Sequence, residues 1–275
     1  VTPPLPLSLS TLRRKANSGA FHARTLFGLG ALPNTLLIGA QKSGTTSLFH
    51  YLEQHPQICA SRSKEPQYFD SQYHRGEKWY RAHFRPRRGE TVRIEASPHS
   101  LFHPLSPRRV QAAIPGARLI VLLRNPIDRA YSHYHESVSQ SAEPLSFRDA
   151  LAAEPARLAD WYEKVERGEA RDSPELRDFS YVTRGLYAAQ IARWLMPFRR
   201  EQFLFLRSEE MFEAPQPTLD RVYDSLGIDS IAIGDSRPRR QRRYPPMEAD
   251  IRSALELTFE ASNEELDSLT GITWS

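Results

Sequence analysis

Cysteine is nearly missing from this 275-residue chain. Cys59 stands alone, which excludes an internal disulfide framework and a zinc site built on several thiolates. A lone thiol fits any redox compartment and selects none. Long apolar runs are missing too: no uninterrupted stretch approaches the ~18 residues of a membrane-spanning helix. Internal repeats and low-complexity tracts are absent. The nine histidines are scattered without the paired spacings of metal ligands, so no metal is expected. Lysine is scarce. It occurs only at 15, 42, 64, 78 and 164, so 32 of the 37 basic residues are arginine. Arginine's planar fork suits phosphate, sulfate and carboxylate, although genomic base composition is the plainer explanation of the excess. A lysine that survives in a special place is the more informative residue.

What is present is an ordinary globular composition, with 40% apolar and 25% charged residues and a net charge of +4. Bulk disorder and fibrous structure are excluded. The length suits one large α/β domain. Residues 1–33, rich in Pro, Ser, Leu and Arg, read as a poorly ordered or surface-wrapping arm, with the domain over 34–275. The segment 11–16 is open to a short basic helix or the stub of a targeting segment.

Short strands alternate with helices along the rest of the chain. Thr35-Leu-Leu-Ile-Gly39 is a β-rich apolar run between Pro33 and Gly39 and reads as a buried strand. Residues 46–54 follow as a helix with Leu48, Tyr51 and Leu52 on one face, stopped by Pro56. Residues 92–95, 117–123 and 202–206 read as further strands, and 126–137, 187–198, 217–226 and 249–269 as helices. The alternation predicts a single α/β domain with a central parallel sheet flanked by helices. Ligands in such folds bind beyond the carboxyl ends of the strands. That rule selects residues 41–46, 95–97 and 124–128. Residues 139–182, polar and broken by Pro144, Pro155, Gly168 and Pro174, read as an insertion of short helices and loops bordering the cleft.

Gly39-Ala-Gln-Lys-Ser-Gly-Thr-Thr46 joins a strand to a helix. Gly39 and Gly44 permit a tight turn, and the helix start offers N–H groups and a positive dipole end. Lys42 adds a full charge, and Ser43, Thr45, Thr46 and Ser47 add hydroxyls. Together they form an anion cradle. The Walker A order is not met, because Lys42 precedes the second glycine. The strongest strand ends in Leu122-Leu123-Arg124 rather than aspartate, so the hydroxyl-plus-acid pair that holds magnesium in nucleotide hydrolases is lacking.

The loop Gln41-Lys-Ser-Gly-Thr-Thr46 resembles the 5′-phosphosulfate loop of sulfotransferases that use 3′-phosphoadenosine 5′-phosphosulfate (PAPS). Within that superfamily it is most similar to the carbohydrate group, the heparan sulfate N- and O-sulfotransferases and their bacterial relatives. The resemblance implies a P-loop nucleotide-kinase-like sulfotransferase fold, PAPS as donor and 3′-phosphoadenosine 5′-phosphate (PAP) as product. It implies that residues 41–47 hold the 5′ end, with Lys42 stabilising the leaving phosphate.

Arg124 and Ser132, eight residues apart, resemble the family's 3′-phosphate segment. Read alone, an arginine at a strand end serves a structural ion pair equally well. A guanidinium fork and a hydroxyl together suit a phosphate. Val92-Arg-Ile-Glu-Ala-Ser-Pro-His99 resembles the strand–Glu–x–Ser/Thr–Pro context of the heparan-type enzymes, which implies Glu95 as general base. Relatives often carry lysine after that glutamate, where this chain has Ala96. A structural pair between Glu95 and an arginine is the plain alternative, and His99 is an alternative base. Lys64-Glu65-Pro66 begins a stretch similar to one bordering the family's acceptor cleft, where a surface ion pair explains Lys64 as readily. Arg184-Gly-Leu-Tyr187 is similar to a segment near the cofactor, placing Tyr187 there. Five arginines lie between Ser236 and Met247. Their position resembles the cofactor-closing loop, with Arg243 the best match to its arginine and Arg240 and Arg242 beside it.

The leading expectation is therefore transfer of a sulfuryl group to a hydroxyl or amine of a carbohydrate acceptor. A small-molecule, lipid or protein acceptor is the alternative. A non-catalytic polyanion- or nucleic-acid-binding protein is the alternative of another class, and a metal-dependent kinase a fourth reading. No specific nucleic-acid partner is expected. The compartment reading leans to a soluble cytoplasmic bacterial protein, or to the Golgi lumen if an upstream anchor was removed. Acceptor identity and oligomeric state are open at this point.

Overall fold

Five short parallel strands carry the architecture of the computed structural model, which describes residues 9–169, 173–239 and 244–274. They are β1 (Thr35–Gly39), β2 (Ile58–Ala60), β3 (Val92–Ala96), β4 (Arg118–Leu123) and β5 (Phe203–Arg207), in the order β2-β3-β1-β4-β5. All four neighbouring pairs are parallel. Four of these strands match the apolar runs expected from the sequence. The edge strand β2 was not anticipated, because three residues are too few to show periodicity.

Side chains alternate across the sheet as strand geometry requires. Leu119, Val121 and Leu123 of β4 join Leu36 and Ile38 of β1 on one face. Ile120 and Leu122 join Leu37, Ile94 and Ala96 on the other. Both faces are apolar because both are covered, which is why the strands read as unbroken apolar runs.

The described helices are α1 (Leu9–Phe27), α2 (Thr45–Leu52), α3 (Glu77–Arg81), α4 (Ser106–Ala113), α5 (Pro126–Ser139) and α6 (Phe147–Arg157). They continue with α7 (Trp161–Glu166), α8 (Pro174–Phe179), α9 (Tyr187–Leu195), α10 (Ser208–Glu213), α11 (Pro215–Leu226) and α12 (Ala249–Thr270). Trp194 of α9 is fully buried in the β4 face, and Leu48 of α2 with Val222 of α11 fills the other. The arm is helical over α1 and lies against α3: Arg24 Nε donates to the Ala82 carbonyl at 3.2 Å, and the Phe21 ring meets His83 edge-on at 4.8 Å.

The strand order places one topological switch. The connection leaving β1 runs toward β2, whereas the one leaving β4 runs to β5 on the opposite side. A crevice opens where neighbouring strands send their chains apart. Here it lies between the ends of β1 and β4, the ends that carry Lys42 and Arg124.

Candidate active site

The phosphate loop is built on two left-handed residues, Lys42 (φ 71°) and Gly44 (φ 90°). A left-handed lysine costs about 1–3 kcal/mol and persists only where its surroundings fix it. Ser208 Oγ donates to the Ser43 carbonyl at 2.7 Å, and Arg124 Nη1 to the Lys42 carbonyl at 3.4 Å. At Gly44 a side chain would fail twice. Its φ disfavours one, and a Cβ would lie 2.6 Å from the Phe212 ring. The loop turns directly into α2, whose first amides have no carbonyl a turn before them.

A cleft of about 540 Å³ opens over this loop. Gln41, Lys42, Gly44, Thr45 and Thr46 line it from β1, Arg124 and Ser132 from β4 and α5, and Lys64, Glu65 and His99 from the β3 side. The expected loop, phosphate pair and acceptor-side residues therefore share one cavity. Ser43 is buried below the loop. Ser47 is buried as well, and its Oγ accepts from the Arg239 amide at 2.8 Å, fastening the basic segment onto α2. Tyr187 is a support behind the wall: its hydroxyl donates to the Arg124 carbonyl at 3.0 Å, and burial raises its pKa to about 12. Arg240, Arg242 and Arg243 lie outside the described residues.

Glu95 lies deeper than the expected role of base implies. Its side chain is 2% exposed and does not line the cleft. The register explains this. Glu95 pairs with Leu36, in the body of β1, well before the loop begins after Gly39. The carboxyl points to the β4 face, where Tyr80 Oη donates to Oε1 at 3.2 Å and Ser97 Oγ to Oε2 at 2.5 Å. Burial pushes its pKa up to about 8, with the nearby Asp70 and Glu65 adding to the rise and the two hydroxyl donors opposing it. Five acidic residues do line the cleft, Glu65, Asp128, Glu136, Asp178 and Glu209; Glu65 is the one on the β3 side, in contact with the Lys64 ammonium.

His99 is 8% exposed, and its Nδ1 receives the Arg184 Nη1 hydrogen at 2.9 Å. A guanidinium only donates, so Nδ1 carries the lone pair and the neutral ring holds its proton on Nε2. Burial and then Arg184 hold its pKa well below the ordinary histidine value. In this state the Nδ1 lone pair of His99 is taken up by Arg184.

Several lining residues escaped the sequence reading, and four of them bear on the chemistry. Glu136 sits one helical turn beyond Ser132 on α5, with Oε1 3.0 Å from Lys42 Nζ; the i, i+4 spacing was the available signal. His133 also lines the cleft. Tyr244 brings its hydroxyl within 3.4 Å of Ser132 Oγ. Arg177 of α8 reaches the same cavity, with no sequence signal to place it. Arg129 is fully buried and does not face water: its Nη2 donates to the Ser180 carbonyl at 3.2 Å and also to the Tyr181 carbonyl. Among the described residues no group of three or more His, Cys, Asp or Glu side chains gathers as a metal site, and no helix is long and apolar enough to cross a membrane.

The profile of the sulfotransferase domain matches residues 32–240. The chain is 30% identical over 268 residues to human heparan sulfate glucosamine 3-O-sulfotransferase 6, covering 89% of this chain and 73% of that protein. It is 29% identical over 306 residues to a membrane-associated sulfotransferase of Dictyostelium discoideum, covering 86% of this chain and 65% of the relative, less than two thirds of its length. Among solved structures, a sulfotransferase from Alicyclobacillus acidocaldarius aligns with a TM-score of 0.74 at 32% identity, covering 89% of this chain and 98% of that one.

Proposed function

The chain belongs to the sulfotransferase domain family, and from that premise we propose that it transfers a sulfuryl group from PAPS to a hydroxyl or amine of a carbohydrate acceptor. One observation carries the reading. Two anion-holding sites, the Lys42 loop and the Arg124–Ser132 pair, stand at the ends of adjacent strands, joined by Arg124 Nη1 on the Lys42 carbonyl at 3.4 Å. A nucleotide with a 5′-phosphosulfate and a separate 3′-phosphate needs two such sites. The heparan sulfate enzymes among the relatives support a carbohydrate acceptor.

PAPS brings an activated sulfuryl group, and the residues present fit it. The loop amides and Lys42 suit the 5′ end, and the fork of Arg124 with the Ser132 hydroxyl suits the 3′-phosphate. Lys42 is placed to stabilise negative charge that develops on the leaving phosphate oxygen. Glu65 is the proposed base in place of Glu95, because among the acidic residues lining the cleft it is the one on the β3 side, away from the Lys42 loop that Glu136 faces. It would take the proton from the acceptor hydroxyl or amine, with Lys64 beside it setting its orientation.

The test is two-stage. Calorimetry with PAP should show saturable binding, and transfer from radiolabelled PAPS should label members of an oligosaccharide panel. Absence of PAP binding at millimolar concentration would overturn the nucleotide reading. Labelling confined to lipids, proteins or small phenols would overturn the carbohydrate one.

A further inference from the structure

His133 is a buried histidine without a task in that mechanism. It follows Ser132 on α5 and lines the cleft while only 1% exposed. Its Nε2 lies 2.8 Å from the Arg177 carbonyl oxygen. A carbonyl only accepts, so Nε2 carries the proton. Burial, reinforced by Arg129 and Arg184, holds the pKa of the ring well below the ordinary histidine value. The ring is therefore neutral, and Nδ1 keeps its lone pair. That nitrogen is buried and has no hydrogen-bond partner among the described residues. The ring is also held in place, by the Arg177 carbonyl at one end and by the Tyr181 ring packed edge-on at 5.2 Å.

His133 lines the cleft, and a ligand that brings a donor to its unpartnered nitrogen removes the desolvation penalty that an unmade bond carries. A phosphate oxygen has no hydrogen to give and would be repelled. Ser132, the neighbouring residue, turns toward Tyr244, whereas His133 turns toward Arg177 and Tyr181 on α8 and the segment after it. This separates His133 from the 3′-phosphate side of the cavity and sets it on the acceptor side.

We propose that His133 Nδ1 accepts a hydrogen bond from an O–H or N–H on the acceptor, next to the group that is sulfated, and so selects acceptors with two neighbouring donors, as sugar rings carry. This rests on the sulfotransferase reading and refines its acceptor class. His133 is then a specificity-determining residue, and Glu65 remains the base.

Two variants separate reading from scaffolding. His133→Gln can keep a donor near the Nε2 position for the Arg177 carbonyl but removes the acceptor at the Nδ1 position. His133→Asn does the reverse. If His133 reads the acceptor, His133→Gln raises the acceptor KM roughly 10-fold or more. PAP affinity then stays within about two-fold of wild type, and His133→Asn keeps KM close to wild type. A monodeoxy acceptor lacking the neighbouring hydroxyl should be poor for wild type and no poorer for His133→Gln. Wild-type kinetics in His133→Gln, a larger defect in His133→Asn than in His133→Gln, or a shift in PAP affinity would each overturn the proposal. Wild-type protein that transfers sulfate to no acceptor would instead overturn the functional reading beneath it. Thermal melts of both variants identify loss of fold.

Discussion

The Lys42 ammonium lies 3.0 Å from the Glu136 carboxylate, with both side chains largely shielded from water. One side chain comes from the loop after β1 and the other from the third turn of α5, so the pair bridges the mouth of the nucleotide site. An anionic ligand and Glu136 compete for the same cation. Glu136→Gln should tighten PAP binding by about 3- to 10-fold, read by calorimetry at fixed salt. Unchanged or weaker binding would mean that Glu136 orients Lys42 for the ligand. Lys42→Ala should lower turnover by ~10²-fold or more, the size of a lost charge-stabilising group.

The two glutamates on the β3 side should behave differently. Glu65→Gln is expected to reduce kcat by ~10²-fold or more while leaving PAP affinity intact, as loss of a general base does. Glu95→Gln should remain within a few-fold of wild type near pH 7. Its carboxyl is largely protonated there, with a pKa of about 8, and an amide has nearly the same shape. Steady-state kinetics on the two variants would return Glu95 to the base role if the order were reversed.

Glu95 also sets a pH dependence of stability. Its pKa is raised from 4.5 to about 8 in the folded protein, chiefly by burial. Below pH 4.5 both states hold the proton and this group's contribution is fully present. Between 4.5 and 8 the unfolded chain ionises while the folded one resists, so stability falls as pH rises. The loss is at most about 5 kcal/mol. Urea unfolding at pH 5 and pH 8 should show Glu95→Gln gaining on wild type at the higher pH. Parallel pH profiles would refute the assignment.

The 3′-phosphate pair makes a graded prediction. Arg124→Ala should weaken PAP by roughly 10- to 100-fold, and Ser132→Ala by about 10-fold or less, because the charged donor forms the stronger bonds. Tyr187→Phe, which removes the donor on the Arg124 carbonyl, should cost only a few-fold. Adenosine 5′-phosphosulfate, which lacks the 3′-phosphate, supplies the control: Arg124→Ala should weaken its binding less than that of PAP, the residual loss reflecting the bond from Arg124 to the Lys42 carbonyl. An equal loss for both nucleotides would place Arg124 elsewhere.

Much of the site was legible because it is local. Gly39 to Ser47 forms strand, turn and helix start within nine consecutive residues, so residue type and spacing alone describe an anion cradle. Arg124 and Ser132 share one strand-to-helix segment and were found the same way. The depth of Glu95 was not legible, because being near a strand end does not set depth. Its place against Leu36 comes from the β1–β3 register, and its hydroxyl cover comes in part from Tyr80 on α3. Arg177 and Tyr244 could not be found, since each reaches the cleft from an element remote in sequence.

The order of residues by itself determined a parallel α/β sheet, a glycine-bearing strand-to-helix loop around Lys42, and an arginine at the end of the strongest strand. Those features depend on steric preference, periodicity and charge within a few neighbouring residues. Only the tertiary structure decided that Glu95 is buried while Glu65 lines the cleft, that Glu136 opposes Lys42, and that the buried His133 lines the same cavity. Burial and pairing of that kind come from strand register and helix packing between distant segments, and a linear pattern of residues carries neither.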